Sequence, residues 1–80
     1  MAHFVYILEC ADKTLYVGYT TDIVRRLKEH NGAKVGARYT KMRRPVKLKY
    51  EERFKTVNEA LRREAEIKSW KRPKKLALFK

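Results

Sequence analysis

The sequence holds one cysteine, two prolines, three glycines and one serine in 80 residues. A single cysteine excludes an internal disulfide and a cysteine-cluster metal site, so Cys10, set in an apolar run, reads as a small core residue. With Ser69 the only serine and no evident base for Cys10, nucleophilic triads lack support. There is no Gly-rich phosphate loop and no His/Cys metal spacing. The longest uninterrupted apolar run, Phe4 to Leu8, falls far short of the ~20 residues that a bilayer span requires. The opening Met1-Ala2-His3-Phe4 has neither the basic nor the apolar region of a signal peptide, and a cytoplasmic protein is expected. Acidic residues are scarce as well. Nine Asp+Glu stand against 21 Lys+Arg, a net charge of +12 that repels itself and calls for a polyanionic partner. Nucleic acid fits best. A membrane partner is not expected, because the cations are not confined to the polar face of one helix. No obligate protein partner is evident.

What is present suits a folded α+β domain. Hydrophobic residues make up 44% and aromatics 11% of a chain long enough for one domain, residues 1–80. Residues 3–10 are β-branched and aromatic, apolar on both alternating faces, and read as a covered strand. After a polar gap at 11–14, Leu15 to Tyr19 is a second strand, paired as an antiparallel hairpin. Gly18 within it signals a bulge or a close approach. Thr20, Thr21 and Asp22 are N-cap candidates for a helix carrying Ile23, Leu27 and His30 on one face and stopped by Asn31-Gly32. Residues 33–45 read as a basic loop with room for one short helix. Val46, Leu48 and Tyr50 alternate with Lys47, Lys49 and Glu51, a strand with one wet face. Thr56-Val57-Asn58-Glu59 is a capping box opening a helix to about Trp70, and residues 74–80 form a short basic tail. The order is β-β-α-loop-β-α, a three-stranded, mostly antiparallel sheet flanked by helices.

Helical projection places Glu64 at the centre of a stripe flanked by Val57, Leu61 and Ile67, with Ala60 beside them and Lys68 one turn on. A carboxylate there is either ion-paired with Lys68 or holds a metal, and projection alone does not choose. Arg26 and His30 lie four apart on the first helix, with Arg25, Lys28 and Glu29 facing away. They are either a surface cation with a helix-end histidine or a grip on phosphate. Tyr6 and Tyr16 are either core aromatics or phenols at a site. Taken together, two phenols, an arginine, a histidine and a carboxylate are what metal-assisted phosphodiester cleavage needs.

Val5-Tyr6-Ile7, Tyr16-Val17-Gly18, Asp22 to His30 and Glu59 to Glu64 resemble in order the GIY-YIG nuclease domain, and stretches like Tyr39-Thr40…Arg43-Arg44-Pro45-Val46 and Ile67-Lys68…Trp70 are similar to those of its short single-domain bacterial branch. The resemblance covers almost the whole chain, with Val5 where the family has glycine. It implies hydrolysis of a nucleic-acid phosphodiester with one weakly held Mg²⁺ or Mn²⁺. By position, Tyr6 activates water, Tyr16 and His30 support it, Arg26 meets the transition-state phosphate and Glu64 binds the metal. The five are expected to converge on one groove. Arg38, Lys41, Arg43 and Arg44, with Lys74 and Lys75, are expected to track the phosphate backbone, since each is a long cation in a loop or tail.

Overall fold

The computed structural model describes residues 2–32 and 44–79. Its elements run β1 (His3–Glu9), β2 (Leu15–Thr20), α1 (Ile23–Asn31), β3 (Lys47–Phe54), α2 (Val57–Lys68) and α3 (Arg72–Leu76). The strands form one antiparallel sheet in the order β2-β1-β3. The strand that is apolar on both faces takes the centre, and its Val5, Tyr6, Ile7 and Leu8 are all buried. No helix among the described residues is long and apolar enough to cross a membrane.

Local chemistry sets the ends of the elements. Asp12 Oδ1 accepts from the Thr14 amide at 3.1 Å and its hydroxyl at 2.6 Å, and Lys13 takes φ 70° in the turn between β1 and β2. Of the three N-cap candidates, Asp22 caps α1, accepting from the Arg25 amide at 3.0 Å, and Gly32 closes the helix on the Lys28 carbonyl. The Thr56–Glu59 box is fully formed. At the other end of α1, the Asn31 side chain donates to the Val46 carbonyl and accepts its amide, at 3.1 and 2.7 Å, imitating a strand neighbour.

The sheet separates two clusters. On one face Val5, Ile7 and Val17 pack with Ala60 and Ile67 of α2, bordered by Trp70, Leu78 and Phe79. On the other Tyr6, Leu8, Cys10 and Val46 pack with Tyr16, Ile23, Leu27 and Leu48. Arg63 ties α2 to β3 through both oxygens of Glu52, and Glu52 also accepts from the Tyr50 hydroxyl.

Three expectations change here. The β3 pattern does not keep one face, because Ile7 pairs with Tyr50 but Leu8 with Leu48, leaving Lys49 as a bulge residue. Leu48 therefore joins the Tyr6 cluster and Tyr50 the Val5 cluster. On α2 the inward stripe is Ala60, Glu64 and Ile67, while Val57 and Leu61 are exposed. Ala60 has no bulk to hold the helix away, so its face lies against the sheet. The tail is also more than a tail: Pro73 falls in the first turn of α3, where its missing amide costs nothing.

Candidate active site

The hairpin register pairs Tyr6 with Gly18 and Leu8 with Tyr16, which makes the two phenols diagonal neighbours on one face. Their ring centroids are 6.3 Å apart, and the His30 ring lies 6.0 Å from Tyr6 and 5.0 Å from Tyr16, edge-on to both. The Tyr6 hydroxyl and His30 Nε2 are 3.0 Å apart in a buried hydrogen bond. Gly18 makes this possible by close approach, with no bulge in the β1–β2 pairing. A Cβ there would sit 2.5 Å from Tyr6 Cζ and 2.9 Å from Tyr16 Cε1. Val5, where a glycine was the pattern, is buried in the opposite cluster, so its side chain points away from the tyrosines.

Two charges act on the Tyr6 hydroxyl from different helices. Burial pushes the Tyr6 pKa up to about 12, with Tyr16 and the Glu64 carboxylate adding to the rise and the Arg26 guanidinium opposing it. Although the inward residues of α2 cover the other face, Glu64 and Arg26 are thus felt by one phenol. Burial opposes the Arg26 charge as well, yet hydrogen bonding to Glu29 and Tyr6 holds its pKa above the ordinary value. Glu29 does not face away, as projection suggested: its Oε1 accepts from Arg26 Nη1 at 2.9 Å. His30 is fully buried, and burial, reinforced by the Arg26 and Arg44 charges and opposed by Glu29, lowers its pKa to about 4. At neutral pH the imidazole is uncharged and the phenol keeps its proton. With the imidazole proton on Nδ1, Tyr6 donates to Nε2.

Glu64 carries the metal question. Its carboxylate lies 3.1 Å from Lys68 Nζ, with the Glu64 side chain 17% exposed and the Lys68 side chain 55% exposed. Among the described residues no group of three or more His, Cys, Asp or Glu side chains could hold a metal ion. One hard carboxylate does fit a Mg²⁺ or Mn²⁺ that keeps most of its water, and does not fit a cation caged by protein ligands.

The expected phosphate-binding residues separate. Arg38, Lys41 and Arg43 lie outside the described residues. Arg44 Nε donates to the His30 carbonyl at 2.7 Å, which puts it beneath the histidine, at the end of α1. Lys74 and Lys75 ride on α3, in the layer over the Val5 face, and Lys74 Nζ stands 4.4 Å from the Trp70 ring centroid. Glu29 and the Arg44–His30 contact escaped the sequence reading. The i,i+3 spacing from Arg26 could have flagged Glu29. Nothing local connects Arg44 to His30.

Residues 2–77 match the family model described as the GIY-YIG catalytic domain. A UPF0213 protein of Syntrophus aciditrophicus is 55% identical over 78 residues, covering 98% of this chain and 90% of that protein. The solution NMR structure of a UPF0213 protein from Bacillus halodurans is 47% identical, with a TM-score of 0.62, covering 98% of this chain and 82% of that one. A protein from E. faecalis, also solved by NMR, is 42% identical with a TM-score of 0.64, covering 94% of this chain and 79% of its own.

Proposed function

The chain belongs to the GIY-YIG catalytic domain family, and from that premise we propose that it is a divalent-metal-dependent endonuclease that hydrolyses nucleic-acid phosphodiesters, DNA ahead of RNA. The observation that carries the reading is the shared hydroxyl: Tyr6 bonds His30, touches Tyr16 and feels both Arg26 and Glu64. A bound Mg²⁺ or Mn²⁺ on Glu64 supplies Lewis-acid stabilisation of phosphate charge.

The chain's own residues do the rest. Arg26 presents a guanidinium, steadied by Glu29, to the phosphate as it gains charge. Tyr6 takes a proton from the attacking water at Oη while passing its own to His30 Nε2. In the resting charge state this relay is idle, since a phenol held up to about 12 keeps its proton and an imidazole held down to about 4 is a poor base for it. Burial is the larger cause of the low His30 value, and an arriving phosphate offsets the second, the Arg26 charge, and so raises its basicity when the substrate is in place. Tyr16 packs edge-on against the imidazole and holds its plane.

That idle resting state also favours a second reading, a nucleic-acid-binding module without turnover. Cleavage of single-stranded, duplex and branched DNA and of RNA, in Mg²⁺ or Mn²⁺, separates the two. Under the nuclease reading Glu64→Gln abolishes cleavage and leaves binding largely intact. Salt-sensitive binding with no cleavage of any substrate selects the binding module. Glu64→Gln cutting as well as the parent overturns the metal assignment.

A further inference from the structure

The ion pair on α2 is lopsided. Glu64 is set into the molecule with its side chain 17% exposed, while Lys68, 55% exposed, reaches it from solvent to 3.1 Å. The carboxylate lies on the inward stripe with Ala60 and Ile67, and its charge is felt at the Tyr6 hydroxyl. Glu64 is thus the drier end of the pair, with the ammonium supplied from the solvent side. Of the two other cations on this helix, Arg63 is bound by Glu52 and Glu66, and Arg62 is exposed.

We propose that Lys68 is a resident counter-ion for Glu64, one that a divalent cation must displace. The inference rests on the nuclease reading of Glu64 and adds a role for Lys68. An ammonium at 3.1 Å neutralises the carboxylate in the absence of metal, which lowers the cost of a carboxylate on a sheet-facing stripe. The same ammonium competes with the metal, because a dication on the carboxylate would be repelled by a monocation at that range. Lys68 is on a flexible four-carbon stem, and exposed residues Lys71 and Arg72 follow it. Once displaced, its charge would remain within one side chain's reach of Glu64, where a substrate phosphate would bring negative charge. Lys68 is thus a positioning residue whose two effects have opposite sign: it weakens metal binding to the free protein and strengthens the hold on phosphate.

The test is Mn²⁺ binding to the full chain without nucleic acid, followed through the paramagnetic resonance signal of free Mn²⁺ at low ionic strength. Lys68→Met is expected to tighten Mn²⁺ about tenfold, by removing one repelling charge in a weakly screened setting. Lys68→Arg, which keeps the charge, is expected to stay within about twofold of the parent. Glu64→Gln is expected to lose the site. If Lys68→Met binds Mn²⁺ no more tightly than the parent while Glu64→Gln loses it, the counter-ion role is overturned and the metal site stands. If Glu64→Gln binds Mn²⁺ like the parent, the metal site itself fails, and the counter-ion role fails with it.

Discussion

The two faces of the sheet are built from alternate residues of the same strand, yet they obey different rules. Val5 and Ile7 meet Val17, Ala60 and Ile67 in an apolar layer. Tyr6, between them in sequence, turns to the other face, where burial encloses a phenol, an imidazole and the edge of a guanidinium. The first face has an apolar centre that tolerates shape-matched hydrocarbon, with the Tyr50–Glu52–Arg63 bonds and Glu64 at its border. The second is held by directional bonds, and every polar group there must keep its partner. In so small a domain stability and chemistry share one strand and differ only by its two-residue period.

Substitutions can break this division in order of size. Ile67→Ala removes a fully buried side chain from the apolar face, with an expected loss of about 4 kcal/mol in chemical denaturation. Loss of less than about 1 kcal/mol would show that this layer is not the stabilising one. Arg26→Ala acts on the other face. It is expected to cut turnover about 100-fold, near 3 kcal/mol of transition-state stabilisation, while nucleic-acid binding falls by far less. Equal losses in both would make Arg26 a binding group only.

The third effect is set by pH. His30 sits at about 4 in the fold against an ordinary 6.5, so the unfolded chain binds more protons between these values. Its contribution is then fully present above pH 6.5 and lost as pH falls through about 4, worth roughly 3 kcal/mol at most. His30→Asn is expected to flatten that acid limb in urea titrations at stepped pH, and an unchanged limb would place the acid sensitivity elsewhere. The smallest effect stays on the tyrosine face: Gly18→Ala is expected to cost about 2 kcal/mol by pushing the Tyr6 ring, with cleavage falling further than stability.

Much of this arrangement was legible in the sequence, because its signals are local. Asp22, the Thr56–Glu59 box and Gly32 set helix ends through bonds to near neighbours, and a period of two put Tyr6 opposite Val5. The five site residues came from their order along the chain, matched to a family pattern. What escaped depends on partners distant in sequence. A bulge at Lys49 is invisible in β3 alone, since the flip exists only relative to β1. Val57 and Leu61 advertised a buried stripe, but the smallness of Ala60 decided which side of α2 could approach the sheet. Arg44 and His30 are fourteen residues apart, and only the fold shows that one supports the other.

Cys10 gives this division an experimental clock. It is the chain's only thiol, 3% exposed, and it sits in the Tyr6 cluster and not in the apolar layer beneath α2. A thiol reagent can reach it only when that cluster parts. Labelling kinetics therefore time the breathing of the chemical face by itself, without added probe or second cysteine. Set beside the global unfolding rate, that one trace tells whether the tyrosine side opens alone or only when the whole sheet comes apart.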